Sequence, residues 1–351
     1  MASMKAVVLK EDKSGANYNP IIVTSVPKPI PADDEVLVRV YAVSLNHRDH
    51  WIRKGLYPGL VYDGILGADG AGEVVATARA EDKDLIGQRV VINSLWNWES
   101  DPEPNPPLML GMAPLTGTFA EYIAVPRNLV YPIPQHLSLA EAASLPIAAV
   151  TAYRALFTKS NVKSGSNVLI TGIGGGVALF ALQFCVAVGA NVYVTSSDNA
   201  KIKRAIDEFG AKGGFNYKAA NWIDEARSVL GNTLDAIIDG SGSADDYSRF
   251  HHLLRAGGII TCYGQTTTRK GVPFNMNYVL KNIDLRGSTM GSNVEFAKMI
   301  KFIEEKKIKP VVSHIFSGLT TDTFEDAFRI MQNSSQFGKI VVEFNESNSM
   351  L

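Results

Sequence analysis

Cysteine is nearly absent from this chain, which has 351 residues and only two cysteines, Cys185 and Cys262. Two cysteines cannot supply a disulfide framework, and they fall in a predicted core helix and a predicted core strand. We therefore expect buried free thiols, as in proteins of a reducing cytosol. Small secreted domains that depend on disulfides are excluded.

Long apolar runs and a large net charge are missing as well. No stretch of roughly eighteen consecutive apolar residues occurs, and the first residues lack the apolar core of a secretory signal peptide. The formal net charge of −1 gives no electrostatic footprint for nucleic acid or for an anionic membrane surface. We therefore expect a cytoplasmic protein that binds neither nucleic acid nor membrane.

What remains is the composition of an ordinary globular protein, with 46% hydrophobic and 20% charged residues. A chain of this length suits two domains. Short β-type runs separated by Gly, Pro and Asp dominate the N-terminal third, and strand-like runs return at 311–316 and 339–344, flanking a predicted helix at 323–332. We predict a split β-rich domain over 1–126 and 292–351, around a nucleotide-binding domain over 127–291. Segment 96–114 is predicted to be an exposed loop.

The most informative segment runs from Val168 to Ala178, where apolar strand formers precede four glycines in five residues and a helix-like run follows. A dinucleotide pyrophosphate needs this order, because small residues let the backbone approach the phosphates and a helix N-terminus offers free N–H groups. Gly172, Gly175 and Ala178 only approximate the G-x-G-x-x-G fingerprint. An ordinary tight turn without a ligand is therefore the alternative.

The segments after this turn repeat the same alternation. Strand-like runs at 191–195, 234–239, 258–262 and 283–287 alternate with helix-like runs at 200–209 and 245–254. Buried strands that alternate with helices indicate βαβ units and a parallel sheet. Together with the glycine-rich turn, this pattern predicts a Rossmann domain.

The end of the second predicted strand bears on the choice of dinucleotide. A site that prefers NAD usually carries Asp or Glu there, to bind the ribose 2′-OH. Here the strand ends in Ser196 and Ser197, Asp198 comes slightly late, and Lys201 and Lys203 open the next helix. Hydroxyls and an ammonium would bind a 2′-phosphate that a carboxylate would repel. We predict NADPH as the cofactor; the alternative is that Lys201 is a solvated helix residue.

Several further blocks resemble the medium-chain dehydrogenase/reductase superfamily, nearly from end to end. They lie at 36–49, 66–72, 117–122 and 287–291, in the order in which that superfamily has its signatures. The resemblance implies an α/β fold with a GroES-like catalytic domain and a Rossmann domain, and an active site in the cleft between them. Within the superfamily the chain looks most like the zinc-independent quinone oxidoreductase branch.

The resemblance also indicates which residues would have to bind a catalytic zinc ion. The three catalytic zinc-ligand positions of the related alcohol dehydrogenases correspond here to Asn46, Ala68 and Ile147. An amide is a poor zinc ligand, and the other two side chains offer no donor atom. Segment 94–117, which corresponds to the structural zinc lobe, has no cysteine. We predict that no metal is bound; an improvised site is the alternative, and the side chains near enough in sequence to form it are His47, His50 and Asp69.

Without a Lewis acid, little lowers the pKa of an alcohol enough for ready hydride donation. A reduced nicotinamide still transfers hydride to an electrophile that needs little activation. Quinones and α,β-unsaturated carbonyls are such electrophiles, because hydrogen-bond donors can stabilise their delocalised product charge. We therefore expect the reduction of a quinone or an enone.

The resemblance assigns three candidate catalytic residues. Asn46 stands at the Asn of an Asn-x-x-Asp motif, and its amide could donate to a substrate carbonyl. Tyr57 falls where the branch has an active-site tyrosine, and Trp51 replaces a second one. Arg48 replaces the hydroxyl residue of the alcohol dehydrogenase proton relay. The alternatives are that Tyr57 and Trp51 pack at a domain rim and that Asn46 caps a helix over 47–53.

The cofactor residues implied by the resemblance fall into three groups. One lies near the nicotinamide and its ribose, one on the pyrophosphate and one around the 2′-phosphate. Tyr217 is the least secure, because it also reads as part of a third strand. The candidates are Thr151, Ser241, Tyr263, Gly264 and Met290, then Gly175, Gly176 and Val177, then Ser196, Ser197, Lys201 and Tyr217.

These observations favour a zinc-independent, NADPH-dependent oxidoreductase that acts on a small-molecule carbonyl or quinone substrate. An aldehyde or ketone reductase of the alcohol dehydrogenase type is a second interpretation. A non-catalytic NADPH-binding partner protein is a third, because no strong acid–base pair stands out. The resemblance further implies a homodimer.

Overall fold

The computed structural model describes residues 2–101, 108–266 and 271–344. The chain divides into two compact units, one formed by residues 1–148 and 292–351 and the other by residues 149–291. No helix within the described ranges is both long and apolar enough to cross a membrane.

The strands follow one another along the chain in short runs. They are β1 (Ser3–Leu9), β2 (Ile21–Pro27), β3 (Glu35–Leu45), β4 (Asp69–Thr77), β5 (Arg89–Ile92), β6 (Leu95–Trp96), β7 (Leu108–Met109), β8 (Tyr122–Pro126), β9 (Val130–Pro132), β10 (Asn167–Ile170), β11 (Asn191–Ser196), β12 (Gly213–Asn216), β13 (Leu234–Asp239), β14 (Leu254–Cys262), β15 (Asp284–Gly287), β16 (Val312–Ser317) and β17 (Lys339–Glu343).

The α-helices are concentrated in the second half of the chain. They are α1 (His47–Arg53), α2 (Leu139–Ala143), α3 (Pro146–Tyr153), α4 (Gly176–Ala187), α5 (Asn199–Phe209), α6 (Trp222–Leu230), α7 (Ala244–Arg249), α8 (Met276–Leu280), α9 (Asn293–Lys306) and α10 (Thr321–Gln332).

The first unit is built on a mainly antiparallel sheet. Its strands run in the order β16-β17-β3-β4-β5-β9, and β8 pairs with β3. The pair β16–β17 is parallel, whereas β17 runs antiparallel to β3. Both C-terminal strands therefore join the sheet of the N-terminal strands, so the first unit is assembled from both ends of the chain.

The second unit contains a six-stranded parallel sheet in the order β12-β11-β10-β13-β14-β15. Counted within the unit this order is 3-2-1-4-5-6, which is that of the Rossmann fold. The central strands β10 and β13 are apolar and almost wholly buried, as expected for a sheet covered on both faces. The predicted Rossmann domain is confirmed.

The boundary between the units lies later than the sequence indicated. We placed it after residue 126, but segment 127–148 contributes β9, which pairs with β5, and α2, which packs against β3 and β4. This segment therefore belongs to the first unit, and the division falls within α3. The second boundary, before Ser292, agrees with the sequence.

Three local expectations need correction. The helix predicted over 245–254 is shorter: α7 ends at Arg249, a 3-10 turn follows over Phe250–His252, and Leu254 already pairs with Leu234 as the first residue of β14. Cys185 is buried, but Cys262 is only partly buried. Segment 96–114 is not simply an exposed loop: the described part forms the β6–β7 pair and buries Trp98, whereas 102–107 lie outside the described residues.

Candidate functional site

In the second unit, the predicted cofactor residues gather at one edge of the parallel sheet. The glycine-rich turn follows β10, Ser197 follows β11, Ser241 follows β13, and Tyr263 and Gly264 follow β14. Strands of a parallel sheet that end together present their loops at a common edge, where dinucleotides bind in this fold. The arrangement therefore brings these positions to one region of the unit.

The turn after β10 has the backbone that its glycines allow. Gly172 and Gly174 adopt φ of 68° and 112°, which favour residues without a Cβ. A Cβ built on Gly172 would meet nothing within 4 Å, and one on Gly175 only a carbonyl oxygen at 3.6 Å. Gly175 then caps the twelve-residue helix α4 without a side-chain hydrogen bond. The turn thus leaves room for a phosphate group beside a helix N-terminus.

Lys201 extends from α5 towards this turn. A Cβ on Gly174 would lie 3.0 Å from its Cδ and 3.6 Å from its Nζ. The carboxylate of Asp198 is occupied at the same helix, because Asp198 is the N-cap of α5 and accepts from the Ala200 N–H at 2.8 Å. The Lys201 ammonium thus lies beside the turn, and one oxygen of the Asp198 carboxylate caps the same helix.

The other residues predicted around the 2′-phosphate lie close together. Ser196 is buried and its Oγ accepts from the Asp198 N–H at 3.2 Å, whereas Ser197 is exposed. The Tyr217 N–H donates to the Ser196 carbonyl at 3.1 Å, and the Tyr217 side chain is exposed. Tyr217 follows β12 rather than belonging to it.

The residues predicted near the nicotinamide and its ribose form two groups. Thr151 Oγ1 lies 3.7 Å from Met290 Sδ, and both residues are buried. Ser241 Oγ donates to the buried carboxylate of Asp239 at 2.7 Å. The hydroxyl of Tyr263 packs so closely on the turn after β13 that a Cβ on Gly240 would lie 2.5 Å away.

In the first unit, the candidate catalytic residues lie on and beside α1. This helix spans the predicted range, and Asn46 takes its N-cap position. The carboxylate of Asp49, which is fully buried, accepts from the Asn46 N–H at 2.8 Å. Burial raises the pKa of Asp49 to about 6, against the smaller opposing effect of the Arg48 charge.

The Asn46 side chain is held by a lysine from the C-terminal strand. Because β17 runs antiparallel to β3 with Ile340 opposite Leu45, Lys339 comes to lie beside Asn46. Lys339 Nζ donates to Asn46 Oδ1 at 2.6 Å. The Nδ2 atom of Asn46 is buried and has no hydrogen-bond partner among the described residues.

The ammonium of Lys339 is buried with a carboxylate. Lys339 Nζ lies 3.0 Å from Asp69 Oδ2 and also donates to the Leu45 carbonyl at 3.0 Å. Asp69 accepts in addition from Ser44 Oγ at 2.8 Å and from the Ile147 N–H at 2.9 Å. Opposite charges and several hydrogen bonds make this buried pair tolerable.

Tyr57 and Trp51 are half-buried near the same helix. The guanidinium of Arg48 lies 5.5 Å from the Tyr57 ring centroid and donates to the Leu110 carbonyl at 3.1 Å. Trp51 packs edge-on against the His47 ring at 5.7 Å. Burial lowers the pKa of His47, so its imidazole is neutral at pH 7.

A cavity of roughly 390 Å³ adjoins α1 in the first unit. It is lined by Ile52, by most of segment 59–66 and by segment 111–116. Apolar side chains form much of this lining, as is usual for small-molecule pockets. Segments 59–66 and 111–116 thus meet around one cavity.

Sequence reasoning missed the roles of Lys339 and Asp69 around Asn46. One signal was available: Lys339 precedes the apolar run 340–342 at the start of its strand, and a charged residue that starts a buried strand needs a partner. The partner could not be read from the sequence, because strand register decides it.

The residues at the zinc-ligand positions do not fit a zinc ion. Ala68 and Ile147 carry no donor atom, and the one oxygen of the Asn46 side chain already accepts from an ammonium, whose charge would repel a dication. No three His, Cys, Asp or Glu side chains within the described ranges are grouped to hold a metal. The improvised site is therefore not formed there.

Two family models match the chain. One is described as alcohol dehydrogenase GroES-like domain and matches residues 32–135. The other is described as zinc-binding dehydrogenase and matches residues 176–305. The description of the second contrasts with the residues at the three zinc-ligand positions, Asn46, Ala68 and Ile147, which do not fit a zinc ion.

Several relatives align with this chain along nearly its whole length. A zinc-type alcohol dehydrogenase-like protein, YogA, of Leptosphaeria maculans is 40% identical, covering 95% of this chain and 97% of the relative. Mouse quinone oxidoreductase is 27% identical, with 90% of each chain covered. The acryloyl-coenzyme A reductase of Sulfurisphaera tokodaii is also 27% identical, and the alignment covers 97% of this chain and 100% of the relative.

Solved structures show the same architecture. A crystal structure of an NAD-dependent alcohol dehydrogenase superposes with a TM-score of 0.86 at 31% identity, covering 97% of this chain and all of the other. The likeness extends over both units of the chain, so the two-domain architecture is common to both proteins.

Proposed function

We propose that this chain, which belongs to the medium-chain dehydrogenase/reductase superfamily and is an oxidoreductase, is a zinc-independent enzyme that transfers hydride from NADPH to a quinone or an enone. The observation that carries the proposal is the Asn46 amide, whose oxygen accepts from Lys339 and whose buried Nδ2 has no partner among the described residues. A hydrogen-bond donor thus stands where the zinc-dependent relatives have a metal ligand.

When bound, NADPH supplies the hydride. Reduction of an enone takes up one hydride at the β-carbon, and the π electrons move onto the carbonyl oxygen before a proton adds at the α-carbon. Donation from Asn46 Nδ2 stabilises the negative charge that develops on this oxygen. Tyr57, whose phenol lies near the Arg48 guanidinium, is assigned as a second donor, and Trp51 as a pocket wall with one indole N–H.

The preference for NADPH rests on the second unit. The Lys201 ammonium lies beside the glycine-rich turn, and the Asp198 carboxylate is occupied as a helix cap. Ser196 and Ser197 add two hydroxyls at the end of β11. A 2′-phosphate would therefore meet a cation and hydrogen-bond donors instead of a free carboxylate. The pyrophosphate would lie against Gly175, Gly176 and Val177 at the start of α4.

The choice of quinone or enone follows from how strongly a substrate must be polarised. A simple aldehyde or ketone concentrates the product charge on one oxygen, whereas a quinone or an enone delocalises it. A neutral amide donor suits the second kind of substrate better. The relatives named quinone oxidoreductase and acryloyl-coenzyme A reductase support this choice.

The test is consumption of NADPH and of NADH by metal-stripped protein with a benzoquinone, a conjugated enone or an aromatic aldehyde. Oxidation of a simple alcohol with NADP⁺ is the fourth assay. We expect turnover of the quinone or the enone that prefers NADPH and that a chelator leaves unchanged. Chelator-sensitive alcohol oxidation would contradict the proposal, preferential aldehyde reduction would favour a carbonyl reductase, and tight NADPH binding without turnover would favour a binding protein.

A further inference from the structure

The proposed function does not explain why the Asn46 side-chain amide takes one orientation and not the other. A buried amide can present either its oxygen or its nitrogen to a ligand, and only the nitrogen can donate. Burying a donor without a partner is unfavourable, so its orientation must be enforced by something nearby. The candidate is Lys339, whose Nζ lies 2.6 Å from Asn46 Oδ1.

The chemistry of the lysine decides which way the amide faces. A lysine ammonium has three donors and no acceptor, so only the amide oxygen can face it. With Oδ1 turned to Lys339, Nδ2 is turned away from it.

The three protons of the Lys339 ammonium have three acceptors, namely Asn46 Oδ1, the Leu45 carbonyl and Asp69 Oδ2. Asp69 is fixed in turn by Ser44 Oγ and the Ile147 N–H. No proton of the ammonium is left over for a substrate. Lys339 can therefore act only through Asn46.

We propose that Lys339 is a positioning residue, which orients the Asn46 amide so that Nδ2 donates to the substrate oxygen and which strengthens that donor. A cation on the amide oxygen draws electron density from the nitrogen, and hydrogen bonds in such a chain reinforce one another. The proposal deepens the proposed function and rests on it for the identity of the substrate oxygen.

The test removes the ammonium without leaving a buried charge unpaired. The double variant Lys339→Met with Asp69→Asn removes both ions of the Lys339–Asp69 pair, whereas Lys339→Gln with Asp69→Asn keeps a neutral donor to Asn46. The matched control is Lys301→Met with Glu305→Gln, which removes an exposed lysine–glutamate pair of the same unit. Both double variants at Lys339 are compared with it by circular dichroism and by their affinity for NADPH.

Two readouts separate positioning from a merely structural role. The first is kcat and KM for an enone: a donor that acts in the transition state affects kcat. We expect kcat of the Met variant to fall about tenfold or more, that of the Gln variant to fall less, and NADPH affinity to stay within about twofold. The second is the Asn46 side-chain amide signal in a ¹H–¹⁵N spectrum, which is assigned from its loss in Asn46→Asp. We expect this signal to shift strongly in the Met variant, less in the Gln variant and not at all in the control.

The two readouts also distinguish the two proposals. If the wild-type protein reduces neither quinone nor enone, the proposed function fails, and the Asn46 amide signal still decides whether Lys339 orients it. If the Met variant does not fold, the Gln variant is judged by the same two readouts, with a smaller shift and a smaller loss of kcat expected. A folded variant with an unchanged Asn46 signal and kcat within about twofold of wild type would overturn the inference.

Discussion

Replacing Asn46 by aspartate changes one donor into an acceptor and leaves the shape of the side chain unchanged. The carboxylate can still accept from Lys339 Nζ, as Asn46 Oδ1 does at 2.6 Å, so the contact that fixes the side chain is retained. What is lost is the N–H donor of Nδ2, the atom without a partner among the described residues. The variant therefore tests the proposed role of this atom with little other change.

The expected loss follows from the number of hydrogen bonds removed. Loss of a single donor to a developing oxyanion lowers kcat about 10²- to 10³-fold, equivalent to about 3–4 kcal/mol. A carboxylate beside the substrate oxygen adds repulsion, so we expect the upper part of this range at neutral pH. The Lys339 ammonium can pair with the new charge but is already shared with Asp69, so circular dichroism checks that the variant folds.

The activity of the Asn46→Asp variant is also expected to depend on pH. When the carboxyl introduced by Asn46→Asp is protonated, its O–H can donate where the amide donated, so activity should recover as the pH falls. The Lys339 charge favours the ionised form, whereas burial and the nearby Asp49 and Asp69 carboxylates favour the protonated form, so we expect the recovery towards the acidic end of the range. The assay is the ratio of initial rates, variant to wild type, between pH 8 and pH 5, with the exposed Asn221→Asp as a charge-matched control. A ratio near one throughout would refute the donor role.

Three other changes probe the cofactor site, the sheet and the titration of α1. Lys201→Ala should weaken NADPH binding about tenfold to 100-fold, as for a lost charged hydrogen bond, and NADH binding less than about threefold; equal losses in a fluorescence titration would place Lys201 on the pyrophosphate. Gly72→Ala should lower the free energy of unfolding by about 3 kcal/mol or more, since its Cβ would lie 1.9 Å from the Arg39 carbonyl oxygen, whereas Gly271→Ala meets nothing within 4 Å; equal denaturation midpoints would contradict this. Burial lowers the pKa of His50 to about 4, below its ordinary 6.5, so the unfolded chain binds the proton more tightly and stability should fall as pH drops from about 6.5 to 4. His50→Gln should flatten this fall in melting temperature, and identical slopes would show that His50 does not cause it.

The parallel-sheet unit could be predicted from the sequence because the sequence signals for it are local. Apolar runs, turns and helical periodicity each lie within a few residues, and the Rossmann order of strands follows once the unit is identified. One error arose where a local signal competes with tertiary pairing. The helical pattern extends to residue 254, but the helical structure ends with a 3-10 turn at His252, and Leu254 pairs with Leu234.

The surroundings of Asn46 were less accessible because they depend on pairing across the length of the chain. The helix over 47–53 and its N-cap could be predicted from local chemistry. Lys339 comes to Asn46 only through the register of β17 on β3, which places Ile340 opposite Leu45. A shift of one residue would turn Lys339 to the other face of the sheet, and no nearby residue reveals the register.

The ammonium beside Asn46 is a cation that the chain supplies itself, at the place where the zinc-dependent relatives use a metal ligand. Because this charge is part of the polypeptide, a chelator cannot remove it, which agrees with the proposed independence from zinc. It acts on a substrate through an amide, and it therefore polarises a carbonyl oxygen less than direct coordination to zinc would. Substrates that already delocalise the incoming charge need only this weaker polarisation. The same residues thus account for two proposed properties together, the absence of a metal requirement and the restriction to quinones and enones.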